Sequence, residues 1–177
     1  MKQETIVLGG GCFWCLEAIY VRLQGVLAVH SGYARGNTAN PSYEQVSSGT
    51  TGHVEVIEVT FDAEVITCEQ ILEIFFAFHD PTTRDRQGND VGTQYRSAIF
   101  FTSLEQEIVA KKIIATLEEQ HIFAQPIITE VRSLEVFYPA ESYHDQYYDR
   151  NPDQAYCRAI ISPKISKLRA KYSGLLK

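Results

Sequence analysis

Residues 5–23, TIVLGGGCFWCLEAIYVRL, change their hydrophobic period at a run of three glycines. TIVLG (5–9) is the short apolar run of a buried strand. From Cys12 on, Phe13, Leu16, Ala18, Ile19, Tyr20 and Leu23 recur at helical spacing, so a helix is expected to about Leu23. Glycines between the two let the chain turn tightly and let other groups approach its backbone. A cysteine straight after them meets free N–H groups and the positive end of the helix dipole. Both favour a thiolate. Cys12 is therefore a candidate nucleophile; the plain alternative is a small buried hydrophobe.

The rest of the chain continues to alternate the two periods. GVLAVHSGYARG (25–36) reads as a strand, and NTANPSYEQVSSGTTG (37–52) as a polar loop. HVEVIEVTFD (53–62) is the clearest strand. Thr67 with Gln70 forms a capping box for the helix EQILEIFFAFH. DPTTRDRQGNDVGTQY (80–95) is a polar loop long enough to be either disordered or functional. RSAIFF (96–101) is a strand, and Ser103 with Gln106 caps a long amphipathic helix to about Gln120. PIITEVRSLEVFYPA (126–140) carries one or two strands. An aromatic, polar stretch and a last helix, PKISKLRAKY, follow. This order predicts an α+β two-layer sandwich, a mixed β-sheet with packed helices and an irregular C-terminal segment. With 177 residues and no linker or repeat, a single domain spanning 1–177 is expected.

Sixteen Lys and Arg against twenty-two Asp and Glu give a net charge of −6, with no basic run, which argues against nucleic acid as a partner. No apolar run approaches the ~20 residues of a membrane span. No secretory leader is legible at the start, so a cytoplasmic location is expected. The four cysteines are then expected to be reduced thiols or redox groups rather than permanent staples.

Cys12 and Cys15 stand at CxxC spacing, which admits a thioredoxin-like dithiol or half of a zinc site. Zinc needs about four ligands, and no second CxxC exists; no metal and no cofactor are expected. A further candidate comes from parity. In HVEVIEVTF the residues His53, Glu55, Ile57, Val59 and Phe61 share one strand face. The apolar members mark that face as buried, so Glu55 points inward unless the strand end frays. An inward carboxyl keeps its proton near neutrality and suits a general acid.

Taken together, GCFWC, GYARGNTANPSYEQVSSGTTGHVEVIEVTFD, FFAFHDPTTRDRQGNDVGTQYRSAIFF and NPDQAYC resemble the A-type peptide methionine sulfoxide reductases, in order from about residue 6 to residue 160. The resemblance implies a fold of ferredoxin-like character and reduction of methionine S-sulfoxide, free or in proteins. It implies that Cys12 attacks the sulfoxide sulfur, that Phe13 and Trp14 form the apolar pocket for the methyl group, and that Glu55 is the acid. Tyr43 and Tyr95 are then expected to bind the sulfoxide oxygen, with Asp90 in support. Tyr147 is the preferred contact from the segment Tyr143, His144, Gln146 and Tyr147. Cys157, after Tyr156, matches the resolving cysteine, in a C-terminal segment from about 140. Its disulfide with Cys12 would be reduced by thioredoxin, and a monomer is expected. The chain departs from the family pattern at Cys15, where Gly is common, and in lacking a cysteine after Cys157. Cys15 therefore competes for the redox role, and a general thiol-disulfide oxidoreductase using Cys12 and Cys15 is the rival function. Cys68, His30 and His79 read as structural, and His53 as holding the strand start beside Glu55.

Overall fold

The computed structural model describes residues 1–177. Its first half runs β1 (Gln3–Gly9), α1 (Phe13–Tyr20), β2 (Val26–Ala34), α2 (Tyr43–Ser47), β3 (Val54–Asp62) and α3 (Cys68–Ala77). A hairpin, β4 (Arg86–Gln87) and β5 (Asp90–Val91), precedes β6 (Ala98–Phe101) and α4 (Leu104–Glu119). The chain ends with β7 (Glu130–Ser133), β8 (Phe137–Pro139), α5 (Tyr147–Arg150) and α6 (Ser162–Lys171). Six strands form one mixed sheet in the order β7-β6-β1-β3-β2-β8, and six helices accompany it, an α+β fold. Only the β6–β7 pair is parallel.

The two outermost strands dictate the shape of this sheet. β7 and β8 sit on opposite edges, yet only Leu134–Val136 joins them. Across a flat six-stranded sheet the edges lie roughly 24 Å apart, from five spacings of about 4.8 Å. Four residue steps reach about 14 Å at full extension. The sheet therefore curls until its edges approach. The concave face buries Val7, Ala34, Val54, Val56, Ala98 and Phe100, with Leu134 and Phe137 of the crossing segment packed on them. The other face carries the main core, where Ile6, Leu8, Ile57, Val59 and Phe61 meet α1, α3, α4 and α6. Both faces of β3 are thus covered at its start, and Val54 to Ile57 are all buried.

The sequence expectations differ from the structure in local ways. Helix α1 starts at Phe13; Cys12 is its N-cap, in extended backbone (φ −63°, ψ 127°), and the helix ends at Tyr20 rather than Leu23. The polar stretch 37–52 contains a short helix, α2, with a complete capping box of Ser42 and Gln45. Thr67 and Gln70 form theirs as expected. Ser103 accepts from Gln106 N–H, but the Gln106 side chain turns to Thr102, accepting its N–H at 2.9 Å, so this box is half made. The segment 80–95 is a built hairpin followed by a 3₁₀ turn at Thr93–Tyr95, and 126–140 makes two strands. No helix is long and apolar enough to cross a membrane.

Candidate active site

The turn between β1 and α1 explains its glycines. Gly11 adopts φ +89°, a region side chains disfavour, and a Cβ there would meet Gln87 at 2.7 Å. A Cβ on Gly10 would meet the His79 ring at 2.9 Å. The turn delivers Cys12 to the helix start, half-buried. Directly after it, Phe13 N–H donates to Glu55 Oε1 at 3.1 Å. Glu55 stands on β3 opposite Tyr33 of β2 and is 1% exposed, so the parity reading of an inward carboxyl holds. Burial pushes Glu55 up to about 8; the Phe13 N–H opposes this, and the charges of Asp90 and Cys15 add to it.

The two thiols of the CxxC pair divide differently from the sequence expectation. Burial pushes the Cys12 thiol well above its ordinary value, helped by its hydrogen bond to Cys15 and the charge of Glu55. The Trp14 N–H favours the thiolate, as a helix start should, but burial outweighs it. Cys15 falls to about 7, first because the Cys12 thiol donates to it. Lys164 and the Tyr156 hydroxyl lower it further, against burial. Its Sγ lies 3.7 Å from Tyr156 Oη. The expected thiolate at Cys12 thus becomes a charge shared by the pair. A cavity of about 170 Å³ opens on both thiols, with Asp90, Tyr156 and Lys164 in its wall.

An aromatic wall stands on the other side of α1. Phe13 is fully buried, with Tyr33, Tyr43 and His144 at centroid distances of 5.8, 6.4 and 4.9 Å. Trp14 stacks on Tyr147 at 3.7 Å with an interplanar angle of 6°. Its Nε1–H donates to His144 Nδ1 at 3.0 Å. His144 is fully buried, burial holds its pKa down, and its Nε2 has no partner. Tyr43 opens α2, and its N–H donates to Glu141 Oε2 at 2.9 Å. Burial and then the charge of Glu55 raise its phenol to about 12. Tyr95 ends the 3₁₀ turn; burial raises it too, followed by the charges of Glu55, Tyr43, Cys12 and Asp90. Both phenols therefore stay protonated donors at neutral pH.

Asp90 sits in β5 and accepts the Tyr156 O–H at 2.6 Å. Cys157 follows in a π-helical turn, Cys157–Ile161, buried within the main core, with its N–H donating to Gln154 Oε1 at 3.0 Å. Burial raises its thiol, and so does the charge of Cys15. Of the site residues named from the sequence, Glu55, Tyr43 and Tyr147 touch α1 and Asp90 lines the cavity, while Cys157 is packed into the core and does not line it. Sequence reasoning passed over Tyr156 as a site residue, although it immediately precedes the cysteine. It also missed Lys164, for which no local pattern speaks. His53 ties the loop before β3, accepting Gly36 N–H at Nδ1 and holding Thr38 O with Nε2. His79 bonds Phe75 O and Ser97 Oγ inside the core, and burial raises Cys68 to about 12; both are structural.

A pair of thiols at a helix start, a buried carboxyl bonded to the N–H after the first of them, and two phenols raised by burial and then by that carboxyl's charge stand on this fold. The model of the family described as "Peptide methionine sulfoxide reductase" matches residues 4–175. The chain belongs to the A-type peptide methionine sulfoxide reductase family. Its activity is that of a peptide-methionine (S)-S-oxide reductase. Among curated relatives, the enzyme of Trichodesmium erythraeum is 55% identical over 166 residues, covering 94% of each chain. Among solved structures, reduced Mxr1 of Saccharomyces cerevisiae superposes with a TM-score of 0.82 at 35% identity, over 88% of this chain and 90% of that one. The same yeast protein in complex with Trx2 matches at a TM-score of 0.58 and 24% identity, over 82% of this chain and 85% of that one, a likeness of fold.

Proposed function

We propose that this single-domain enzyme reduces free and protein-bound methionine S-sulfoxide through Cys12, with Glu55 as the proton donor. The observation that carries the reading is Glu55: 1% exposed, raised to about 8, and bonded to the N–H next to the nucleophile. It holds a proton at neutral pH where the departing oxygen needs one. The shared negative charge of the Cys12–Cys15 pair arms the attack when it moves to Cys12. The Cys12 sulfur then gives up two electrons and takes the sulfoxide oxygen, becoming a sulfenic acid, and the sulfoxide becomes methionine. Tyr43 and Tyr95 donate hydrogen bonds to the oxygen as charge grows on it. Phe13, Trp14 and Tyr147 enclose the methyl group, and Asp90 fixes Tyr156 at the edge of the cavity. The segment β1-α1-β2-β3-α3-β6 has the strand order β6-β1-β3-β2, the split βαβ arrangement of a ferredoxin-like core. The deciding assay supplies the separated S and R sulfoxides with dithiothreitol and measures methionine. Release from the S form alone supports the proposal; equal release from both overturns its stereochemistry.

In the second half-reaction the Cys157 thiol condenses with the sulfenic acid, releasing water and leaving a disulfide. Thioredoxin reduces it, a role consistent with the yeast relative's complex with Trx2. The protein acts as a cytoplasmic monomer. One observation favours Cys15 as the first resolving thiol: it already faces Cys12 and is lowered to about 7, whereas Cys157 is packed in the core. Cys12, as the N-cap in extended backbone, stands outside regular helix while Cys15 lies within it, which relieves the strain of an i,i+3 closure. Cys157→Ser and Cys15→Ser separate the paths. Loss of thioredoxin-driven turnover in the first alone assigns resolution to Cys157; loss in the second alone assigns it to Cys15.

A further inference from the structure

Glu141 enters above only as the acceptor of the Tyr43 N–H, yet several parts of the site converge on it. It follows β8, where Ala140 N–H donates to Ser31 O at 2.9 Å and closes the ladder on β2. Its carbonyl accepts the His144 N–H at 3.0 Å and starts the 3₁₀ turn Ser142–His144. Its carboxylate is shared between two further elements. Oε1 accepts the Tyr33 O–H at 3.0 Å, and Oε2 accepts the Tyr43 N–H at 2.9 Å. No Lys or Arg pairs with it. Its partners are a phenol of the sheet and a main-chain donor of α2.

Tyr43 needs such a partner. Helix α2 has five residues, of which only Val46 is buried. A helix that short does not hold itself together in water. Its capping box covers the N–H groups of Ser42 and Gln45. The Tyr43 N–H lies in the first turn and has no acceptor within the helix. Glu141 supplies one from 98 residues away along the chain. The carboxylate is itself anchored, because Tyr33 is fully buried in β2, opposite Glu55. The bonds therefore run from the sheet beside Glu55, through Glu141, to the main chain that carries the Tyr43 phenol. The Tyr43 ring stands 6.4 Å from Phe13 and 4.6 Å from His144, whose turn Glu141 also begins.

We propose that Glu141 is a positioning residue for Tyr43: its carboxylate, held by the Tyr33 hydroxyl, fixes the Tyr43 main chain and so sets the phenol where the sulfoxide oxygen binds. This rests on the reading of Tyr43 as a donor to that oxygen. Glu141 touches no reacting atom. Its loss frees the start of α2 and misplaces one donor, while Cys12 and Glu55 stay in place.

The test compares Glu141→Ala, Glu141→Gln and Tyr33→Phe, each alone and with Tyr43→Phe. Two quantities are read: the single-turnover rate at a saturating S-sulfoxide peptide, and hydrogen exchange of the Tyr43 amide by NMR. In Glu141→Ala the amide should exchange at least about tenfold faster, since its bond is lost. The rate should fall by roughly 10–10²-fold, the scale for a group misplaced by about 1 Å. Alkylation of Cys12 should stay within twofold of native. Glu141→Gln can still accept the Tyr43 N–H and donate to the Tyr33 oxygen, so it should recover most of the rate. Tyr33→Phe leaves the carboxylate tied at one end only and should lie between native and Glu141→Ala. In the Tyr43→Phe background, Glu141→Ala should lower the rate no further. If Glu141→Ala does not fold, Tyr33→Phe decides by the same two readings. A native rate, or native exchange of the amide, in the deciding variant overturns the inference, as does a loss of rate that persists in full without the Tyr43 hydroxyl. A Tyr43→Phe enzyme with the native rate overturns the donor reading instead, and the amide exchange in Glu141→Ala is read independently of it.

Discussion

Replacing Glu55 with Gln should make the enzyme slower and more stable at once. The carboxyl is raised from 4.5 to about 8, with burial as the largest cause. Between those values the native state keeps a proton that the unfolded chain has released. Stability therefore falls as pH rises through this window, by up to about 1.4 kcal/mol per pH unit, and levels off above pH 8. The full cost of ionising Glu55 in place is on the order of 5 kcal/mol. Gln removes this titration, keeps the shape, and still offers an oxygen to Phe13 N–H, the bond now at 3.1 Å. Its advantage over the native chain should be smallest at pH 4.5 and grow to pH 8. Urea unfolding at several pH values, followed by Trp14 fluorescence in reducing buffer, measures it. Over the same range, methionine release in a single turnover should fall by at least about 10². The native rate should decline as pH passes about 8, and that limb should vanish in the variant. A stability difference that does not change with pH would refute the buried, protonated carboxyl. A single-turnover rate within threefold of native would refute its role as acid and leave Tyr43 and Tyr95 as the donors.

Cys12→Ser should abolish reduction of the S sulfoxide, since a hydroxyl is a poor nucleophile toward sulfur; a tenth of the native rate would reassign the nucleophile. Trp14→Ala should weaken substrate use by about 1–3 kcal/mol in kcat/KM and loosen stereochemical preference, with alkylation of Cys12 little changed. Tyr156→Phe removes the hydroxyl that lies 3.7 Å from Cys15 Sγ and donates to Asp90. Because that hydroxyl lowers Cys15, its loss should raise the pH at which Cys15 alkylates above about 7. An unchanged profile in iodoacetamide titration would show that the Cys12 thiol and Lys164 set it without Tyr156.

Legibility in the sequence tracked how local each cause is. The strand, glycine turn and helix of residues 5–23 declare themselves because period and backbone freedom are properties of neighbouring residues. The Thr67–Gln70 box is legible for the same reason, and the inward direction of Glu55 follows from parity with Ile57, Val59 and Phe61 within one strand. The motifs of the family resemblance named Cys12, Phe13, Trp14, Tyr43, Asp90, Tyr95 and Cys157, because each sits in a short run that can be read by itself. Tertiary structure alone decided the rest. β7 and β8 come from one stretch of the chain, 126–140, and only the curl of the sheet sends them to opposite edges. The same curl buries both faces of β3 where Glu55 stands, which desolvates its carboxyl. Which thiol of the CxxC pair carries the charge depends on Glu55, Tyr156 and Lys164, which lie 40, 141 and 149 residues from Cys15 along the chain. Burial and charge are summed over everything within a few ångströms, whatever its place in the sequence. A local pattern can therefore name the groups of this site, but only the packed chain fixes their protons.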